Sequence, residues 1–225
     1  MNVIFDIDGT LVDIRQLWEQ AYQTLYQEWF NLTLSTAEIK SLFGVAELSG
    51  HSRLLEQHNI YTPQRAHTLV DAVEETMLGV LLKQDLTTKI LPGVLDSLEF
   101  FKEKNVGLAC STGNIGTIAQ RILQQAKLDS YFPVVSCSSL DVQDKAPIVY
   151  QALLGLKERG YTAPAAETLV IGDSPSDTKA AKQLGCIAIA VATGHYSSQE
   201  LAREEPDYLL PNLTTLPSIF NERFK

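Results

Sequence analysis

The sequence predicts an α/β protein, with a doubly wound parallel-sheet core and an inserted all-helical cap. Two observations predict this class. Short apolar runs alternate with helical patterns from Leu91 onward, and a stretch of purely helical periodicity separates them from an apolar run at Asn2–Phe5. Alternating strands and helices are typical of a parallel sheet covered on both faces. We therefore predict a discontinuous core, residues 1–13 and 86–225, and a helical cap at residues 14–85.

The first predicted strand, Asn2–Phe5, runs into the motif Asp6-Ile7-Asp8-Gly9-Thr10. Two aspartates two residues apart point the same way if the strand continues, so their charges repel each other. A turn is one explanation of the motif, because Asp and Gly are turn residues. A cation held between the carboxylates is the other.

The cap is predicted from a change of hydrophobic period after Asp13. Apolar residues then recur at intervals of three and four, which is the spacing of an amphipathic helix. These patterns run through residues 14–29, 36–43, 48–58 and 70–81. No convincing strand pattern interrupts them.

After the cap, five short β-rich runs bounded by Gly, Pro, Asp or Ser predict strands. They are Val106–Cys110, Val134–Val135, Leu169–Ile171, Ile187–Val191 and Tyr208–Leu210. We expect the first strand to join their sheet across the inserted helices.

The composition is that of an ordinary soluble protein: 225 residues, 45% hydrophobic and 20% charged, with a net charge of −9. The acidic balance argues against nucleic acid or an anionic membrane as a partner. Cys110, Cys137 and Cys186 show no CxxC spacing and lie in apolar or small-residue runs, which indicates buried thiols. With no apolar run long enough for a membrane span and no signal peptide, we expect a cytoplasmic protein.

Polar residues follow three of the predicted strands, at the edge where open parallel sheets bind ligands. They are the first motif, Ser111-Thr112-Gly113-Asn114, and Gly172-Asp173-Ser174-Pro175-Ser176-Asp177. Pro147 suits the first turn of a helix, so that Lys145 would sit at the entrance of that helix. Each piece alone is explained as a turn, a helix cap or a surface lysine. Their common placement at one edge indicates a site.

Phosphoryl transfer accounts for these residue types. A carboxylate nucleophile must approach an anionic group, so a cation has to offset the repulsion. Mg²⁺ takes oxygen ligands and keeps several waters, and Asp6 and Asp173 are the natural pair to hold it. Asp8, placed beside the metal, would protonate the leaving oxygen and later take a proton from water.

The predicted phosphate-binding residues are Thr112, Gly113, Asn114 and Lys145. The Thr112 hydroxyl and the unobstructed Gly113 N–H would bind phosphoryl oxygens. Lys145 would offset charge on the nucleophile and on the transferred group.

These motifs, in this order, resemble those of the haloacid dehalogenase-like superfamily, in its phosphatase branch with a Rossmann-like core and an inserted helical cap. Phosphoglycolate phosphatase and β-phosphoglucomutase are of this type. The resemblance covers essentially the whole chain. It implies that Asp6 is a nucleophile forming an aspartyl-phosphate and that Asp8 is the general acid/base. It also implies Mg²⁺ held by the Asp6 side chain, the Asp8 backbone carbonyl and Asp173, with Asp177 ligating through water or supporting the ligands.

We therefore predict a Mg²⁺-dependent phosphatase, monomer or homodimer, that hydrolyses a small phosphorylated metabolite. Dehalogenases of the superfamily do without the second aspartate, so Asp8 favours phosphate-ester chemistry. Three alternatives stay open: a phosphomutase of β-phosphoglucomutase type, a pyrophosphatase, and a non-catalytic binding protein with the same fold.

Several residues outside these motifs are also candidates for substrate contact. His51, His58, His67 and Arg53 lie in the cap, and basic residues among them would suit a distal anionic group. Their spacing matches no zinc motif, and exposed helix faces carry such residues routinely, so we predict solvated positions. Phe43-Gly44 is either a substrate-facing loop or a helix end, and His195 is predicted to cap or pack.

Overall fold

The computed structural model describes residues 1–45, 47–139 and 144–223. Within them a single six-stranded sheet has the order β3-β2-β1-β4-β5-β6, and all neighbouring strands are parallel. The strands are β1 (Asn2–Phe5), β2 (Gly107–Thr112), β3 (Val134–Cys137), β4 (Thr168–Gly172), β5 (Ile187–Val191) and β6 (Tyr208–Leu210). The predicted fold class, α/β with a doubly wound parallel sheet, is confirmed.

Strand β1 lies in the middle of the sheet, between β2 and β4. Asn2 pairs with Gly107 on one side and with Thr168 on the other. Strand β2 continues past the predicted end at Cys110 because Ser111 and Thr112 still pair with β3 and are buried. Because these two residues have polar hydroxyl side chains, the apolar run that predicted the strand did not include them.

Between β1 and the second half of the core, the described residues form four helices inside the predicted cap. They are α1 (Arg15–Phe30), α2 (Thr36–Leu42), α3 (Glu47–Gln57) and α4 (Pro63–Leu81). Helix α4 begins well before the predicted pattern because Thr62 caps it, accepting the backbone N–H of Arg65 at 3.1 Å, and because proline fits a first helical turn. The predicted domain boundaries, residues 1–13 and 86–225 against 14–85, remain a prediction.

In the described residues six further helices follow: α5 (Val94–Glu103), α6 (Gly116–Gln125), α7 (Lys145–Glu158), α8 (Pro175–Leu184), α9 (Ser198–Ala202) and α10 (Leu216–Arg223). Short 3-10 turns lie at Thr87–Lys89, Asp129–Tyr131, Ala165–Glu167 and Leu213–Thr215. Successive side chains of β1 point to opposite faces of the sheet. Ile4 packs among residues of α7 and α8, whereas Phe5 packs with α5 and α6. Strands β1, β2 and β4 are therefore buried along their whole length, whereas the edge strands β3 and β6 are partly exposed.

The three cysteines are free; Cys110 and Cys186 are buried, and Cys137 is half-buried. None of the helices in the described ranges is long and apolar enough to cross a membrane.

Candidate active site

The carboxyl edge of the sheet brings together residues from four distant segments. Lys145, the first residue of α7, donates from Nζ to Asp6 Oδ1 at 2.6 Å and to the Ser111 carbonyl at 2.9 Å. Its Nζ also lies 2.8 Å from Asp177 Oδ1. One ammonium group thus joins the ends of β1 and β2 to the start of α8.

Asp6, Asp173 and Asp177 form a buried carboxylate cluster, with one oxygen of each within 4.8 Å of the others. Burial raises the pKa of Asp6 to about 7, although the neighbouring Lys145 ammonium lowers it. Burial, and then the charges of Asp6 and Asp177, raise the pKa of Asp173 well above its ordinary value. One ammonium faces three carboxyl groups at this edge, which is too little positive charge to keep all three ionised.

Two glycines shape the space around Asp173. A Cβ on Gly194 would overlap the Asp173 carboxylate, and a Cβ on Gly9 would lie 2.6 Å from Asp173 Oδ2. Gly9 also has a φ of +75°, which side-chain-bearing residues rarely adopt. Thr10 donates its hydroxyl to Asp173 Oδ1 at 3.2 Å. Oxygen donors fixed this closely, with a single ammonium beside them, fit a small divalent cation such as Mg²⁺.

Lys145 stays charged in this cluster. Burial opposes its charge, but the carboxylates of Asp177 and Asp6 outweigh burial and raise the pKa of Lys145. Asp177 is held in turn by Ser174, whose backbone N–H and hydroxyl both donate to Oδ2, at 3.2 Å and 2.6 Å. Ser174 therefore anchors Asp177 at the start of α8, and Asp177 in turn contacts the Lys145 ammonium.

Asp8 lies apart from the cluster and has different partners. Oδ1 accepts the Trp18 indole N–H at 3.1 Å, and Oδ2 accepts the side-chain amide of Asn114. Burial raises the pKa of Asp8 to about 6, although these two hydrogen bonds lower it. A carboxyl group with a pKa near neutrality suits general acid/base work.

The Asn114 side chain donates to Asp8, and the role of Asn114 as a phosphate-binding residue stays a prediction. Its backbone N–H is also occupied, donating to Thr112 Oγ1 at 3.1 Å. Since Thr112 accepts there, its own hydroxyl hydrogen remains available for a ligand. Gly113 lies under the cap, where an added Cβ would sit 3.1 Å from the Val45 carbonyl oxygen.

A cavity of about 320 Å³ separates this edge from the cap. That volume is at the small end of the range for small-molecule sites. The core contributes Asp6, Asp8, Thr112, Gly113, Asn114, Lys145 and Asp173 to its wall, and the cap contributes Arg15, Trp18, Tyr22, Phe43, Gly44, Glu47 and Arg53.

Phe43-Gly44 is both the end of a helix and part of a loop that faces the cavity. Phe43 is the C-terminal cap residue of α2, and both residues line the cavity. Gly44 has a φ of +74°, and an added Cβ would lie 2.9 Å from Ser174 Cβ. The loop is thus a helix end that touches the core beside the carboxylate cluster.

His195 packs, as predicted, and it also lines the cavity. Its ring lies against Phe43, with 3.8 Å between the ring centroids. Burial lowers the pKa of His195 to about 4, and the charges of Arg15 and Lys40 add to that effect. A neutral imidazole therefore joins the β5 loop to the cap near neutral pH.

The prediction of solvated cap histidines is wrong for His51, which is fully buried. It shares a helix face with Leu54 and Leu55, which are also buried, so its position in the α3 turn places it inside the cap. His58 is half-buried, with Nε2 2.6 Å from Glu38 Oε1. His67 and Arg53 are exposed, as expected.

Residues that face the cavity but were not singled out from the sequence include Arg15, Trp18 and Glu47. Arg15 donates to both carboxylate oxygens of Asp13 at 2.8 Å and to the Gly194 carbonyl at 2.8 Å. It joins the start of the cap to the loop that packs on the carboxylate cluster. Helical periodicity identifies Trp18 as buried, but it does not indicate that the indole reaches Asp8.

The fold and the site together define an α/β enzyme whose buried carboxylates lie at the carboxyl edge of a parallel sheet, beneath a helical cap. A family profile described as haloacid dehalogenase-like hydrolase matches residues 3–191. The chain belongs to this family. The family resemblance and the expectation of an enzyme are thereby confirmed.

Individual relatives agree with this assignment. A Dickeya dadantii protein named "Probable phosphatase IndB" is 28% identical over 211 residues, 92% of this chain and 88% of that protein. Phosphoglycolate phosphatase of Pseudomonas fluorescens is 28% identical over 221 residues, 95% of this chain and 77% of the relative. The crystal structure of a hydrolase from Pseudomonas syringae has a TM-score of 0.84 at 21% identity, covering 100% and 99% of the two chains, and it shows the shared fold.

Proposed function

We propose that this protein is a Mg²⁺-dependent phosphatase that hydrolyses a small phosphorylated metabolite through an aspartyl-phosphate on Asp6. The observation that carries the proposal is the contrast between two carboxylates on one cavity wall. Asp6 lies in the cluster beside Lys145, whereas Asp8 is held by Trp18 and Asn114 and is tuned toward neutrality. Two carboxylates in different surroundings can take different chemical roles.

The metal would be held by the carboxylates of Asp6 and Asp173 and by the Asp8 backbone carbonyl, with Asp177 supporting them. When bound, Mg²⁺ supplies positive charge that offsets repulsion between a carboxylate nucleophile and an anionic phosphoryl group. Support comes from the close oxygen cluster and from the single ammonium that faces its three carboxyl groups.

In the first step a carboxylate oxygen of Asp6 attacks the substrate phosphorus, and the bond from phosphorus to the leaving oxygen breaks. Asp8 gives its proton to that oxygen, so that the product leaves as a neutral alcohol. The Thr112 hydroxyl, the Gly113 N–H and the Lys145 ammonium would bind the phosphoryl oxygens while this charge moves.

In the second step water attacks the phosphorus of the aspartyl-phosphate. Asp8, now a carboxylate, takes a proton from that water, and the bond from phosphorus to the Asp6 oxygen breaks. Inorganic phosphate and the starting carboxylate result. Asn114 and Trp18 act as positioning residues here, since both hold Asp8 and neither needs to touch the substrate.

The test is phosphate release from 4-nitrophenyl phosphate and from a panel of small metabolite phosphates, with Mg²⁺ or with EDTA. Release that requires the metal and is lost in Asp6→Asn supports the proposal. Asp71→Asn is the matched control, because Asp71 is exposed on α4 and its replacement removes the same charge. Absence of release from every compound, by protein of native circular dichroism, would overturn the phosphatase.

The same reactions distinguish the three alternatives by their products. A pyrophosphatase would release phosphate from pyrophosphate alone, and a phosphomutase would return an isomer of a sugar phosphate. A non-catalytic binder would leave every compound unchanged.

A further inference from the structure

Glu47 presents a carboxylate to the cavity from the cap side. It is the first residue of α3, its side chain is only 11% exposed, and it lines the cavity together with Asp8 and Trp18. Oε1 accepts the Tyr22 hydroxyl at 2.8 Å, and Oε2 lies 2.9 Å from His51 Nε2. On the far side of the ring, His51 Nδ1 lies 3.0 Å from the Tyr26 hydroxyl.

These contacts form a directional hydrogen-bond chain that ends on Glu47. With the proton on Nε2, His51 accepts from Tyr26 and donates to Glu47, so every donor in the chain meets an acceptor. Tyr22, Tyr26 and His51 are buried and keep the carboxylate in one orientation. A carboxylate has acceptor sites for about four hydrogen bonds, and two are used here.

In the part of the chain that the structure describes, no cation satisfies the remaining acceptor sites. Among the described residues, no lysine or arginine lies within ion-pair distance of Glu47. Lys145 is bound to Asp6 and Asp177, and Arg15 is bound to Asp13. The negative charge of Glu47 is also one of the influences that raise the pKa of Asp8. A substrate group placed between the two carboxylates would therefore meet acceptors and negative charge.

We infer that Glu47 selects phosphomonoesters whose leaving alcohol carries a hydrogen-bond donor, a hydroxyl or an ammonium group, and disfavours those that carry a carboxylate there. The inference rests on the proposed phosphatase, and it names the substrate class of the same site. Arg53 also lines the cavity, but its side chain is exposed and makes no hydrogen bond or ion pair with a described residue. Glu47 is the rigidly held group of the two.

The test uses four substrates with leaving groups of nearly equal size: 2-hydroxyethyl phosphate, phosphoethanolamine, ethyl phosphate and phosphoglycolate. Wild-type kcat/KM is expected to be about tenfold higher for the first two than for ethyl phosphate, since a hydrogen bond to a charged group has about that effect. Phosphoglycolate is expected to be the poorest substrate. The hydroxyl and ammonium compounds show which donor Glu47 prefers.

The variant Glu47→Gln is expected to lower kcat/KM about tenfold for the two donor-bearing substrates and to change ethyl phosphate by less than about threefold. Phosphoglycolate is expected to improve, because a negative charge has been removed from its path. Glu56→Gln is the matched control, since Glu56 lies on the same helix, is exposed and does not line the cavity. It is expected to behave as wild type.

The outcomes separate this inference from the proposed function. Hydrolysis of 4-nitrophenyl phosphate with phosphoglycolate as the best of the four substrates, or a ranking that changes in Arg53→Met but not in Glu47→Gln, would overturn the inference and leave the phosphatase intact. Competition by the four compounds against 4-nitrophenyl phosphate in the wild-type enzyme gives the same ranking without any variant. If Glu47→Gln fails to fold, that ranking decides the inference.

Discussion

Trp18 in helix α1 of the cap donates its indole N–H to Asp8 in the core, at 3.1 Å. The same carboxylate accepts from Asn114, so its two oxygens are held from the cap side and from the core side. Trp18 is buried, and its ring lies 5.6 Å from that of Tyr22. The proposed acid/base therefore has its full set of partners only when α1 lies over the sheet edge as it does here.

Replacing Trp18 with phenylalanine is expected to lower kcat about tenfold with little change in KM, because the variant keeps the aromatic packing and loses one hydrogen bond to a charged group. The measurement is steady-state hydrolysis of 4-nitrophenyl phosphate. Trp29→Phe is the control, since Trp29 is exposed on the same helix. A Trp18→Phe enzyme with wild-type kcat would show that the contact has no catalytic role.

Mg²⁺ is expected to raise the thermal unfolding midpoint of the wild type, because it offsets repulsion among Asp6, Asp173 and Asp177. At about 100 times the dissociation constant, linkage gives about 2.7 kcal/mol, which corresponds to several degrees for a chain of this size. Asp173→Asn is expected to unfold at a higher temperature than the wild type in EDTA and to respond little to Mg²⁺. Equal responses of both proteins to Mg²⁺ would contradict the proposed ligands.

Gly194→Ala is expected to remove the Mg²⁺ response and to reduce activity about 100-fold or more, because a misplaced catalytic group costs about that much. The added methyl group would occupy the position of the Asp173 carboxylate. Gly79→Ala is the opposite case, since a methyl group added at this position on α4 would meet no other described residue within 4 Å. It is expected to raise the free energy of unfolding by about 0.5–1 kcal/mol and to leave activity unchanged. Chemical denaturation and activity assays of both variants check this pair.

Lowering the pH is expected to lower the free energy of unfolding, because the folded protein disfavours protonation of His195. Burial, with Arg15 and Lys40, lowers its pKa from 6.5 to about 4, and Asp13 opposes that shift. Between these two pH values the unfolded chain binds a proton at His195 that the folded protein does not, so stability falls as the pH falls through this window.

His195→Phe should keep the stacking on Phe43 and remove the titration. Between pH 7 and pH 4.5 the midpoint of the wild type is expected to fall about 2–4 °C further than that of the variant, a modest difference because solvent screens the partly exposed ring. Parallel unfolding curves across this range would show that His195 does not contribute.

The strands could be predicted because burial on both faces leaves continuous apolar runs, as at Leu169–Ile171 and Ile187–Val191. The end of β2 was less predictable, since Ser111 and Thr112 are polar residues in buried strand positions. The start of α4 carried a local signal, Thr62 followed by Pro63, that hydrophobic periodicity does not use.

The half of the candidate site that lies in the core could also be predicted from the sequence. Asp6, Thr112 and Asp173 all follow or end strands, and parallel topology brings strand ends to one edge. Glu47 and Trp18 reach the same cavity from the cap. Their meeting with the core depends on how two separately patterned segments pack, which local periodicity does not encode.

The central position of β1 has a consequence for how the protein folds. The strand-pairing partners of Asn2 are Gly107 and Thr168, and the cap helices and much of the core lie between these residues along the chain. Helices form from near-neighbour contacts, whereas these pairings require large loops to close first. During synthesis the cap helices can thus form before β1 pairs with either of its neighbouring strands, β2 and β4. The carboxylate site, which depends on the last of these pairings, is expected to assemble late in folding.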